Sequence, residues 1–313
     1  MIRYIMRRLL HLIPTLLAVA TIVFLLIHFI PGDPVQTMLG LEATPEDVAA
    51  LREVLGLNDP ILVQYKNFLA NLIKFDFGSS IYYKENVFEL FKERFPATVE
   101  LAVTALLFGT LVAIPLGILS ATHRHSVIDV FSTIFSLIGI STPVFWLGIL
   151  LMYIFSLQLG WLPLTGRGGP IWTLQGIKHI LLPAISLGAT MMASTTRLVR
   201  SSMLEVLSQD YVRTAHAKGL TNRVVLYKHA LKNAMLPVLT NVGLQMGVLL
   251  GGSFLTETVF AWPGVGRFAV QAVLRRDFAV IQGVTFMVAF LLIMVNLCVD
   301  ILYTFIDPRI KYN

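Results

Sequence analysis

The sequence predicts an all-α integral membrane fold: six transmembrane helices, with a helical extracytoplasmic segment between the first and the second. Three observations carry that prediction. The 313 residues are 56% hydrophobic and only 13% charged, with a mean hydropathy of +0.76, whereas soluble domains average about 45–50% apolar and about 25% charged. Stretches without Lys, Arg, Asp or Glu run over 9–32, 101–123, 130–166, 179–196, 233–256 and 278–299, the shortest of them 18 residues long, and about 20 apolar residues cross a bilayer as a helix. The basic residues also collect in alternate segments between these stretches. One cysteine, Cys298, excludes an intrachain disulfide and a cysteine-built metal site.

The first element is a basic start, Arg3, Arg7 and Arg8, followed by the apolar run 9–32. A secretory leader has an apolar region of about 7–15 residues and a small-residue cleavage site. This run is longer and ends in Phe29-Ile30-Pro31-Gly32-Asp33-Pro34. Residues 1–30 are therefore expected to form a cytoplasmic N-terminus and a retained first helix. Segment 31–97 follows outside the membrane. In it Thr44-Pro45-Glu46-Asp47 supplies a cap, a first-turn proline and acids for a helix that ends at Gly56. Asn58-Asp59-Pro60 opens another, with Leu62, Tyr65, Leu69, Leu72 and Ile73 at helical spacing. Asp76-Phe77-Gly78-Ser79 reads as a turn. A helical cap on the outer membrane face and a direct contact with substrate both fit this segment.

Helices 2–6 are expected over 98–304, with a cytoplasmic loop at 204–232 and a tail at 305–313. Gly160-Trp161-Leu162-Pro163 interrupts the third stretch, leaving one span near 130–158. The fourth continues past Arg197 toward Leu204. Pro14, Pro115, Pro143, Pro183 and Pro237 fall inside spans, where neighbouring helices and waters can re-satisfy the freed carbonyls. Six crossings place both termini on one side. That side holds 13 Lys and Arg, seven of them between Arg197 and Lys232, whereas 33–94 has six basic residues and ten acids. The basic excess marks the cytoplasm. The +6 net charge then follows from topology and partner docking, not from nucleic acid.

Several chemistries are missing. There is no G-x-x-x-x-G-K-[ST] phosphate loop, no H-E-x-x-H and no G-x-S-x-G. Gly264-Val265-Gly266-Arg267-Phe268-Ala269 matches a dinucleotide fingerprint in letters but lacks the preceding strand. His123-Arg124-His125 sits in a short turn without acidic or cysteine partners nearby. Glu100 and Glu257 are expected at the outer surface, and Asp300 near the inner end of the last span, where a structural ion pair and a functional acid are both open readings.

The most informative loop reads Asp210-Tyr211-Val212-Arg213-Thr214-Ala215-His216-Ala217-Lys218-Gly219-Leu220. Asp210 suits a helix start and Gly219 a left-handed stop, with Lys218 at the negative end of the helix dipole. Thr221 or Asn222 caps a second helix through Lys232. Tyr211, Ala215 and Gly219 share one face, and small residues there permit close approach of another surface; an amphipathic helix on lipid headgroups is the plainer alternative.

This loop resembles the ATPase-coupling loop of ABC importer permeases in the peptide/nickel branch. Arg213 and Thr214 stand where the general pattern has Glu and Ala; Ala215 and Gly219 match. Supporting segments occur in order: Arg7-Arg8-Leu9-Leu10, Pro31-Gly32-Asp33-Pro34, Asp76-Phe77-Gly78-Ser79-Ser80, Pro96-Ala97-Thr98-Val99-Glu100-Leu101-Ala102, Glu257-Thr258-Val259-Phe260, Pro263-Gly264-Val265-Gly266-Arg267 and Asp307-Pro308-Arg309. Together they look like the first of the branch's two permease subunits, and the fold implied is that of a type I ABC importer permease.

The resemblance implies a non-catalytic subunit in the inner membrane of a prokaryote. Its partners would be a second homologous permease, two ATP-binding cassette ATPases, an extracytoplasmic solute-binding protein and membrane lipid. It would bind no cofactor itself, ATP and magnesium being held by the ATPases. Asp210, Tyr211, Arg213, Thr214, Ala215, Lys218 and Gly219 would couple it to them. Thr142, Met191, Met192, Ser194, Asn241, Gln245 and Met246 are candidates for the pathway or its gate, against a helix-packing role; the methionines suit an adaptable constriction. Peptides are the leading solute, with nickel or its chelates and glutathione as alternatives. A secondary carrier would need intramembrane ionisable residues and inverted repeats, and neither stands out.

Overall fold

The computed structural model describes residues 2–29, 35, 39, 44–54 and 56–306. The Pro31–Pro34 and Asp307–Arg309 motifs lie outside them, as do the side chains of Arg3, Arg7, Arg8 and Asp300. All regular structure among the described residues is helical, apart from an isolated antiparallel bridge between Ser79 and Asn86. The chain divides into two compact units. One comprises 1–97 and 264–293; the other comprises 98–263 and 294–313.

In the first unit, α1 spans Ile2–Phe29, α2 Pro45–Val54 and α3 Ile61–Ile73. The cap of α2 is reciprocal. The Asp47 amide donates to Thr44 Oγ1 (3.2 Å), while the Thr44 hydroxyl and amide donate to Asp47 Oδ2 (2.6 and 3.1 Å). The Thr44 hydrogen bonds hold the Asp47 carboxyl below its ordinary range. Gly56 takes φ +64° just past the end of α2, a conformation that glycine enters without a Cβ clash. Gly78, at φ +75°, closes the turn in which its amide donates to Asp76 Oδ1 (3.0 Å). Helix α12, Val265–Arg275, and the first half of α13, Phe278–Ile306, complete the unit. Its core is aromatic and aliphatic, including Leu72, Phe77, Val87, Leu90, Phe91, Phe268 and Val284. Asp277 is buried at the start of α13, where the Ser80 hydroxyl donates to Oδ2 (2.5 Å). Gly264 to Ala269 opens a helix with no strand before it.

The second unit takes over along α4, Val87–Thr122. Helix α5, Val127–Ser141, is capped by Ser126 and stops at Thr142-Pro143; α6, Val144–Leu151, continues into a π-helical stretch, Met152–Gln158. These two halves meet at 104°. The stretch expected as one span near 130–158 is thus broken at Thr142-Pro143, within the set of prolines expected to interrupt spans. Pro143 has no N–H for the helix ladder and disfavours helical geometry at Thr142, which is extended at φ −85°, ψ 123°. Helix α7, Leu174–Leu207, runs 34 residues through Pro183. Then come α8, Asp210–Ala217, α9, Asn222–Val224, a π-helical turn, Val225–Ala230, α10, Leu231–Gly252, and α11, Phe254–Val259.

Four straight segments among the described residues are long and apolar enough to cross a membrane: Val87–Thr122, Leu174–Leu207, Asn222–Gly251 and Phe278–Val299. The bent α5–α6 pair makes a fifth if it counts as one span. The first expected span falls on α1, whose described apolar stretch is Leu12–Leu25. Close packing of α4 on α7 depends on glycine. A Cβ at Gly117 would lie 2.5 Å from Val199 Cβ and 2.9 Å from the Thr196 carbonyl oxygen.

Candidate functional site

The loop after α7 folds back beneath that helix. Val212, Ala215 and Val225 form a small buried cluster against Leu207, so α8 is held to the end of α7 and to the π-helical turn by its own apolar face. Ala215 is therefore directed into the chain and does not offer its methyl to another molecule. Tyr211 is exposed, and its hydroxyl accepts from Asn233 Nδ2 (2.8 Å). The free side of the helix carries Asp210, Arg213, Thr214, Lys218 and Gly219. Asp210 and Arg213 pair loosely at 3.6 Å with side chains 96% and 79% exposed, a geometry worth little in water. Gly219 takes φ +77° with nothing near its missing Cβ, which matches the left-handed stop expected there. Thr221 takes the cap position of α9 without a side-chain hydrogen bond. The loop presents a rigid, charged, short helix with small residues only at its end.

A second constellation lies between α7 and α10. Gln245 Nε2 donates to Ser194 Oγ and to Thr195 Oγ1 (both 3.3 Å), and Asn241 Nδ2 donates to Thr195 Oγ1 (3.4 Å). Three sequence candidates, Ser194, Asn241 and Gln245, thus meet around a buried threonine. The other candidates stand apart from this cluster. Met191 and Met192 are buried within the chain, and Met246 is half-buried. Thr142 ends α5, with its hydroxyl bonded to the Ile138 carbonyl (2.7 Å).

Three largely buried acids were placed differently by the sequence or passed over. Glu257 is not at the surface; it is fully buried on the short helix α11, where the Thr98 and Ser253 hydroxyls each donate to Oε1 (2.8 Å). Glu100 is mostly covered as well. Its Oε1 accepts from the Ile171 amide (2.9 Å), and its Oε2 lies 2.8 Å from Arg167 Nη2. Asp129, next to the His123–His125 turn, is 5% exposed and bonded two-pronged by Arg200: Nε to Oδ1 at 2.6 Å and Nη2 to Oδ2 at 2.8 Å. Ser120 Oγ (2.6 Å) and the His125 amide (3.0 Å) complete its partners. The sequence signal for this pair was a lone acid beside a long charge-free run and the second of two arginines just past the end of another.

Comparison with known proteins places this geometry. Residues 113–312 match the family described as binding-protein-dependent transport system inner membrane component, and residues 1–102 match the corresponding N-terminal family. The dipeptide transport system permease DppB of Alkalihalophilus pseudofirmus is 45% identical, with all of both chains covered. DppB of Escherichia coli K12 is 43% identical over all of both chains, and so is the glutathione transport system permease GsiC of Salmonella typhimurium. In fold, the chain is similar to a chain of the MetNI methionine ABC transporter in an inward-facing conformation (TM-score 0.56, 16% identity, 70% of this chain and 96% of that one). An amino acid ABC transporter solved with histidines gives TM-score 0.52 at 17% identity, covering 71% and 94%. The chain belongs to the family of binding-protein-dependent transport system inner membrane components, as a multi-pass, non-catalytic permease subunit.

Proposed function

We propose that this chain is one of two permease subunits of an ATP-driven importer, and that the solute is a di- or oligopeptide delivered by an extracytoplasmic binding protein. The observation that carries the peptide assignment is full-length identity of 43–45% to permeases named for dipeptides. The α7–α10 cluster suits such a cargo. Amides and hydroxyls offer donors and acceptors without net charge, which serves a peptide backbone and leaves side chains unread. Asp210, Arg213, Thr214, Lys218 and Gly219 would then contact one of the two ATPases, with Tyr211 and Ala215 holding the helix in place. The basic 197–232 region puts α8 and both termini in the cytoplasm. ATP and magnesium belong to the ATPases, since this sequence has no phosphate loop.

The test is reconstitution of the whole transporter in liposomes with a labelled dipeptide, labelled glutathione and nickel as separate cargoes. ATP-dependent dipeptide uptake in excess of the others supports the assignment. Uptake of glutathione alone would favour the second reading, which the 43% identity to GsiC motivates. Uptake without ATP by this chain alone would point to a secondary carrier.

A further inference from the structure

Helix α5 meets α7 through an unusual face. Val127, Ile128, Val130, Phe131, Ile134, Phe135, Leu137 and Ile138 are all exposed. The buried residues are Asp129, Ser132 and Ser136. One turn on, a Cβ at Gly139 would sit 2.9 Å from Ala193 Cβ and 3.5 Å from the Ala189 carbonyl oxygen. The contact face is therefore small and smooth. Such faces let helices approach closely, but they carry no bulky side chain to stop one helix sliding or turning on the other. The Arg200 fork on Asp129 is the exception. It is bidentate, with both bonds at 2.6–2.8 Å, and bidentate pairing fixes orientation as well as distance.

Both ends of this pair are tied down. Ser120 on α4 and the His125 amide occupy the remaining acceptor sites of Asp129. On α7, Val199 and Met203 flank Arg200 and are buried against Ile118, Ala121, Ala230, Ala234 and Val238. Seven residues on, Leu207 packs against Val212 and Ala215 of α8. A displacement of α8 thus reaches Arg200 through packed side chains, and the Arg200 guanidinium grips Asp129 on α5. At its far end α5 meets the 104° break at Thr142-Pro143.

We propose that the Asp129–Arg200 pair is a positioning lock that fixes the register of α5 on α7, so that the α5–α6 break moves with α8 when the ATPases move. A buried ion pair used to fix register is among its best-attested roles. The inference rests on the reading of α8 as the ATPase-docking helix.

The experiment uses the complete transporter, with both permeases, both ATPases and the binding protein, in liposomes. It reads ATPase co-purification and the ratio of binding-protein-stimulated to basal ATP hydrolysis; neither needs the cargo to be known. Asp129→Asn and the milder Arg200→Lys should retain the ATPases but lower the stimulation ratio, at least threefold for Arg200→Lys and to near unity for Asp129→Asn. The charge-reversed pair, Asp129→Arg with Arg200→Asp, should recover part of the ratio. Assembled single variants with the wild-type ratio would overturn the lock. So would failure of the single variants to assemble with no recovery in the reversed pair, because the pair would then only hold the fold. Arg213→Glu on the free face of α8 is the separate control: full retention of the ATPases would sink the docking assignment and the lock's link to the ATPases with it, whereas loss of the ATPases there together with a wild-type ratio in the assembled Asp129 and Arg200 variants would sink the lock alone.

Discussion

Two polar groups inside the apolar helices of the second unit contrast in a useful way. Around Asp129 a carboxylate meets a guanidinium, a hydroxyl and a backbone amide, the bonds run 2.6–3.0 Å and every acceptor site is taken. Around Thr195 the partners are neutral, the bonds run 3.3–3.4 Å, and Asn241 and Gln245 remain half-buried. Short charge-assisted bonds hold a geometry. Long neutral ones are near the limit for a hydrogen bond. Under the proposed pathway role they would be exchanged for a passing solute at small cost, while the proposed lock would stay fixed.

The largest expected effect comes from breaking the first group. Asp129→Asn strands a guanidinium that is 29% exposed, and removing one partner of a buried pair costs about 3–5 kcal/mol; the partial exposure puts the loss near the lower end. Thermal unfolding of the purified complex measures it. Arg200→Lys sharpens the same point by keeping the charge and losing the fork. A loss of about 1–2 kcal/mol is expected, the scale of one charged hydrogen bond, and a loss as large as that of Asp129→Asn would show that the fork is the whole effect.

In the second group, Thr195→Val keeps the shape and removes the shared acceptor. About 1 kcal/mol of stability is expected to go, together with a several-fold rise in the apparent KM for uptake. An unchanged KM would make the cluster a packing device only. Gln245→Ala should raise KM similarly while leaving the ATPases bound. The smallest effect lies at an exposed cap outside both groups. The Asp47 carboxyl is held below its ordinary value of 3.8 by Thr44. A depressed folded-state value contributes above the unfolded value and is lost as pH falls through the folded one. Protection from hydrogen exchange at the first turn of α2, taken relative to the unfolded chain at the same pH, should therefore be constant at neutral pH and fall only below about pH 4, and Thr44→Ala should abolish that dependence.

The caps were legible because they are local. Thr44, Gly56, Gly78 and Gly219 each act on backbone within a few residues, so a short string of letters was enough to find them. The charge-free runs were equally plain, since crossing a bilayer is a matter of length and apolarity. The break at Thr142-Pro143 was half-legible: proline announces a kink, but its 104° angle depends on what α5 and α6 pack against. Ala215 shows the limit most clearly. It has the spacing of one face with Tyr211 and Gly219, yet Ala215 packs on the chain's own Leu207 and Val225 while Tyr211 and Gly219 are exposed, because α8 stops at Ala217 and helical spacing stops with it.

By itself the sequence determined an all-helical membrane chain with a basic loop and no G-x-x-x-x-G-K-[ST] motif, and the resemblance that the family match bears out. Only the tertiary structure decided that Asp129 finds Arg200 across 71 residues, that Glu257 is buried, and which side of α8 is free. Periodicity and capping are fixed by neighbours along the chain. Pairing and burial depend on where distant segments return, and the low dielectric between helices makes each such return decisive for a charged group.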